Sequence, residues 1–118
     1  MVTKIIWFFE NHVLSLFKQK NKDMSFSDLK FKIREDGMQH AIMKVGKYKL
    51  SVIAGKYAYS SPRLNLVDIN DFNTFECAII KDNGDFATRD IFENMYDDVI
   101  SNVTREGIDK LIKEIQQQ

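Results

Sequence analysis

Cysteine and proline each occur once in the 118 residues, and histidine twice. A single cysteine, Cys77, allows no internal disulfide. With only His12 and His40 beside it, the chain cannot assemble the four thiolate or imidazole ligands of a structural zinc site. One proline and five glycines exclude collagen-like and low-complexity chains. No run approaches the ~18–20 apolar residues of a membrane span. The opening segment MVTKIIWFFENHVLSLFKQK is interrupted by Glu10, Asn11 and His12 and followed by no small-residue cleavage site, so it does not read as a secretory signal. The expected compartment is the cytoplasm, where Cys77 stays reduced and the Asn102-Val103-Thr104 sequon is silent. No metal and no cofactor are expected.

An excess of one charge is also missing, since 17 Lys and Arg balance 17 Asp and Glu. Zero net charge argues against a chain built to coat nucleic acid or an anionic membrane. The distribution is polar from end to end, however. Residues 1–60 hold eleven cations against five carboxylates, a net of +6, and residues 61–118 hold six against twelve, a net of −6. Either the two halves attract each other, or the molecule carries one basic and one acidic face.

What is present is an ordinary globular composition, 44% hydrophobic and 29% charged. At this length one domain, residues 1–118, is expected, and it can bury roughly two-thirds of its unfolded surface without staples. Val2, Ile5, Ile6, Phe9, Val13, Leu16 and Phe17 fall within one arc ~120° wide at helical spacing, which predicts an N-terminal helix. Trp7 and Leu14 lie outside that arc and leave an apolar stripe suited to self-association. Lys18, Lys20 and Lys22 suit the helix C-terminus and a solvated linker ending at residue 22.

From residue 26 the period falls towards two. Leu29, Phe31 and Ile33 alternate with Lys30, Lys32 and Arg34. His40, Ile42 and Lys44 alternate with Ala41, Met43 and Val45; Tyr48, Leu50, Val52 and Ala54 follow the Gly46-Lys47 turn; and Phe75, Cys77 and Ile79 share one face of a fourth strand. Asp90-x-x-Glu93 resembles a capping box before Ile91, Phe92, Met95, Tyr96, Val99, Ile100 and Val103, which predicts a second helix, with an extended segment from Tyr96 to Val103 as the alternative. Thr104 is the expected N-cap of a last helix whose stripe is Ile108, Leu111, Ile112 and Ile115. The predicted fold is α+β: an N-terminal helix, a four-stranded mainly antiparallel sheet and two C-terminal helices.

Chemistry-bearing motifs are scarce. GxxxxGK[ST], GxGxxG, HExxH, CxxC and GxSxG are all absent, so the phosphate cradle, dinucleotide fold, zinc protease, redox pair and hydrolase elbow lack their requirements. Cys77, on an apolar strand face, reads as a core residue, and neither histidine has a carboxylate at dyad spacing. The densest set of contact groups is KYAYSSPR, residues 56–63, inside the long connection 55–73. Tyr57, Tyr59 and Arg63 are the group pairing that anchors interfaces or stacks on bases. The second set is the acidic group Asp82, Asp85, Asp90, Glu93, Asp97 and Asp98. Its Asp82-Asn83-Gly84-Asp85 run misses the twelve-residue calcium pattern, leaving a negative docking surface as its use, with Asp85, Asp90, Asp97 and Asp98 as the contacts.

The run YKLSVIAGKYAYSSPR, followed by FECAIIKDNGDFAT and a terminal helix, resembles small accessory proteins encoded by tailed bacteriophages, over roughly residues 45–118. That resemblance implies a non-catalytic protein that binds and inhibits host machinery such as restriction or CRISPR systems. The expected partner is therefore a host protein, with a homodimer through the N-terminal helix. Nucleic-acid binding through the basic half is the alternative, and a small enzyme is the third reading.

Overall fold

The computed structural model describes residues 24–118. The expected N-terminal helix, with Trp7 and Leu14, lies outside the described residues. The rest is α+β, built on a five-stranded antiparallel meander in chain order: β1 Lys32–Ile33, β2 Gln39–Val45, β3 Tyr48–Ala54, β4 Phe75–Ile80 and β5 Val99–Val103. A short helix α1, Thr88–Ile91, precedes β5, and α2, Arg105–Gln116, closes the chain. Single 3₁₀ turns occupy Phe26–Asp28 and Ile69–Asp71.

Side-chain alternation gives the sheet two unlike faces. Ala41, Val45, Leu50, Val52, Phe75, Cys77 and Ile79 point inward and are buried. α2 covers them, because Ile108, Leu111, Ile112 and Ile115 recur at helical spacing and reach the same core. Thr104 caps α2 as expected, its hydroxyl accepting from Gly107 N at 3.0 Å. The Arg105 guanidinium lies 5.1 and 5.2 Å from the Phe26 and Phe75 ring centroids and donates to Ile69 O, which seals the rim of the core.

The hairpin β2–β3 turns at Gly46-Lys47, with Gly46 at φ 59, and Val45 pairs Tyr48. That register brings His40 opposite Ile53, and Ile42 opposite Ser51, on the outer face. Gly55 ends β3 at φ 149, where a Cβ would come within 2.8 Å of both Met38 and Asn65, so only glycine fits the crossing.

Three expectations need correction. The sheet has five strands, not four, because residues 99–103 are extended rather than the second half of a helix. β-branched Val99, Ile100 and Val103 pack onto β4, with a bulge between Phe75 and Cys77 where Asn102 takes φ 50. The helix expected to start at Asp90 is the single turn of α1, begun from Ala87. Its backbone closes on itself, Ile91 N donating to Ala87 O and Phe92 N to Thr88 O, and its anchorage is tertiary: the Thr88 hydroxyl donates to Asp98 O at 2.6 Å and accepts from Ile79 N at 2.9 Å, so Thr88 ties the α1 turn to β4 and to the start of β5. The first strand keeps only two residues. Leu29 is buried and Phe31 packs on the core, but Ile33 is exposed at the sheet edge.

Candidate functional sites

The connection 55–73 is held at many points. Ser60 is buried; its hydroxyl accepts from Gly55 N at 3.1 Å and contacts the carbonyls of Gly55 and Pro62. The Asn65 side chain accepts from Lys56 N and donates to Asp36 O, while Gln39 donates to Leu66 O and Val67 O. Ser61 forms an isolated bridge with Thr74, and the Ser61-Pro62 peptide is cis. This frame holds two tyrosines outward, Tyr57 67% exposed and Tyr59 50% exposed. Arg63 stacks over the Tyr59 ring at 5.1 Å, and Lys56 over Tyr57 at 5.5 Å. Tyr59 is fixed from below, with its amide donating to Glu76 Oε1 and its carbonyl accepting from Asn102 N. The fold therefore brings Tyr57, Tyr59 and Arg63 together on one ordered, solvent-facing segment.

The acidic group is more dispersed in effect than its spacing suggests. Asp82 pairs with Lys44 at 2.7 Å, Asp90 with Lys81 at 3.2 Å and Asp98 with Arg89 at 3.2 Å. The Lys44 ammonium, bonded to Asp82, holds that carboxyl below its ordinary range. Asp85 accepts from the neutral Asn83 amide within its turn, so Asp85, Glu93 and Asp97 are outside the ion pairs among the described residues. Three of the six charges thus have a cation beside them, which weakens the field the group projects.

The outer sheet face carries Lys30, Lys32 and Lys49, the lysines on which the nucleic-acid alternative rests, together with His40, Ile42 and Ser51, which the sequence reading did not single out as a site. Its first row runs Lys32, His40, Ile53 and Glu76 across four strands; its second runs Ile42, Ser51, Ala78 and Val99. Ile42 is 53% exposed, and a concavity of about 460 Å³ beside it is lined by Lys30, Lys32, Arg34, His40 and Ile42. His40 Nε2 and Ser51 Oγ share a hydrogen bond at 3.1 Å. Partial burial, and then the nearby Arg34 guanidinium, lower the affinity of His40 for its proton. The signal was available in the sequence: a two-residue turn at Gly46-Lys47 fixes the register that places His40 diagonally from Ser51.

A serine and a histidine in contact are two members of a nucleophilic triad, but Ser51 is buried at the floor of the sheet and no carboxylate bonds His40 among the described residues. Cys77 is buried in the core, and burial together with the Glu76 carboxylate pushes its thiol far up, away from the reactive thiolate. No group of three His, Cys, Asp or Glu that could hold a metal ion occurs among the described residues, and no helix there is long and apolar enough to cross a membrane. Nothing in these sites positively indicates catalysis. Comparisons with family models, with curated proteins and with solved structures find no match to this chain.

Proposed function

We propose that the protein is a non-catalytic binding module that holds another protein on the Tyr57, Tyr59 and Arg63 surface. The observation that carries this reading is the rigid display of exposed aromatics. Two tyrosines and a stacked arginine stand outward on a segment whose backbone is bonded to side chains of β2 and β4 and to the backbone of β5, and whose Asn65 side chain is bonded to the turn after β1. Tyrosine, with two side-chain torsions, loses little entropy on binding, and tyrosine and arginine are enriched among the residues that carry interface energy. The exposed tyrosine side chains, each with a cation over its ring, are not part of the frame, which is made by Ser60, Asn65 and Gln39. Asp97, outside the ion pairs, adds a steering charge for a basic partner. A bacterial host protein as the partner and inhibition as the outcome are proposed from the sequence resemblance of residues 45–118 to phage accessory proteins.

The test is capture from a bacterial lysate by wild type, Tyr59→Ala, Arg63→Ala and Asn65→Ala, with melting temperatures measured on each. Tyr59→Ala and Arg63→Ala are expected to melt within a few degrees of wild type, since exposed substitutions cost within about 0.5 kcal/mol. They should nevertheless weaken the captured complex by on the order of 2 kcal/mol each. A captured protein retained equally by all variants, or a large melting loss in the two anchor variants, overturns the reading.

A further inference from the structure

A second surface goes beyond that protein contact and stands on different observations. The outer face of the sheet combines two properties that the inner face lacks. Along its β1 side runs a row of cations, Lys30, Lys32 and Arg34, at alternate positions through and around β1, and all three line the same concavity. Lys49 adds a fourth cation on β3, opposite Lys44. Lys30, Lys32 and Lys49 take part in no ion pair among the described residues, whereas Arg34 is shared with Asp36 at 2.8 Å and Lys44 with Asp82. Beside this row lies apolar surface, Ile42 more than half exposed and Ile53, Ile80 and Val99 half-buried, with the cavity of about 460 Å³ between the two.

We infer that this face binds single-stranded nucleic acid, its phosphates along Lys30, Lys32 and Lys49 and its bases against Ile42 and Ile53. The charge pattern favours a polyanion along β1–β3, where the unpaired groups are all cations; the face's carboxylate, Glu76, lies on β4 beyond Ile53 and accepts from Tyr59 N. It disfavours a second copy of the same face, which would bring like charges together. The shape selects a single strand. Unstacked bases can reach Ile42 beside the concavity, whereas bases still stacked inside a duplex would leave it against sugar and phosphate. His40 lies on the floor between Lys32 on β1, Arg34 beyond it and Ser51 on β3, where an arriving phosphate would offset the positive field.

The experiment is fluorescence anisotropy of labelled oligothymidylate with the full chain at several salt concentrations. Wild type is compared with Lys30→Gln/Lys32→Gln, with Lys49→Gln, and with Lys110→Gln/Lys113→Gln, which removes the same charge from α2. The inference expects the first double variant to bind about tenfold more weakly at low salt. Its salt dependence should also flatten by ~1.4 in logarithmic slope, two phosphate contacts at ~0.7 each. Lys49→Gln should follow in the same direction, and the α2 variant should bind as wild type. In the wild type, the His40 imidazole, followed by NMR, should titrate at higher pH with oligonucleotide bound. Absence of binding by wild type at low salt, equal losses in the α2 variant, or equally tight binding of duplex overturns the assignment.

Discussion

The two faces of one sheet have been put to opposite uses. Inward, Leu50, Val52, Phe75, Cys77 and Ile79 are wholly buried under α2, and the nearby Thr88 hydroxyl serves two backbone partners. Outward, the same strands carry Lys44, Lys49, Ile42, Ile53 and Glu76 over two short floor residues, Ser51 and Ala78. Strand for strand the backbone hydrogen bonding is identical, so the difference lies wholly in the side chains. The inner face is what makes the chain fold, and the outer face is where its composition is free to suit a partner.

The sharpest way to break that contrast is to truncate an isoleucine on each side. Ile112→Ala removes a fully buried side chain from the α2–sheet contact and should destabilise by ~2–5 kcal/mol, whereas Ile42→Ala should stay within about 0.5 kcal/mol. Chemical denaturation of both variants measures the difference. Comparable losses would mean that the outer face is as covered as the inner one.

A smaller effect is expected at Thr88. The isosteric Thr88→Val keeps the packing but leaves Ile79 N–H without its acceptor and Asp98 C=O without its donor, at about 1–3 kcal/mol. Because the loss falls at the α1–β5 junction, amide exchange should quicken first in residues 88–103, ahead of β2 and β3. Uniform acceleration across the sheet would show that the junction is not a separable unit.

How much of this was legible differs by element. β2 from Ala41, β3 and β4 each keep an apolar residue at every second position, on the inner face, and the last helix carries a four-residue apolar stripe behind a threonine cap, so their patterns could be read directly. β5 was obscured because Ile91, Phe92, Met95 and Tyr96 lead into Val99, Ile100 and Val103 at spacings that also suit a helix. What decides is pairing with β4, a contact remote in sequence. β1 misled in the other direction, its alternation of Leu29, Phe31 and Ile33 suggesting three buried positions where the chain edge leaves Ile33 exposed. For the candidate sites, Tyr57, Tyr59 and Arg63 were visible as a composition cluster. The pairing of the acidic group with Lys44, Lys81 and Arg89 depends on the folded neighbourhood, as does the convergence of Lys30, Lys32 and Arg34 on His40.

The smallest expected effect probes the outer face alone, through pH. His40 holds its proton less tightly in the folded state than in the unfolded chain, first because it is partly buried and then because Arg34 is near. The unfolded state therefore binds more protons across the window below the ordinary histidine value of ~6.5, and stability must rise with pH there. Read downward, stability is intact above ~6.5 and is lost as the pH falls through that value towards the lowered folded one. The groups facing His40 are Lys32 on β1, Arg34 after it and Ser51 on β3; none is a carboxylate that could reverse the sign. His12 contributes equally to wild type and to a His40→Gln variant, so the difference between their denaturation-against-pH curves isolates His40. The expected result is a shallower acid-side loss in His40→Gln, and a smaller one in Arg34→Gln, where only the second cause is removed. Coincident curves for wild type and His40→Gln would place His40 in open solvent, and with it would go the difference between the outer face's floor and its rim.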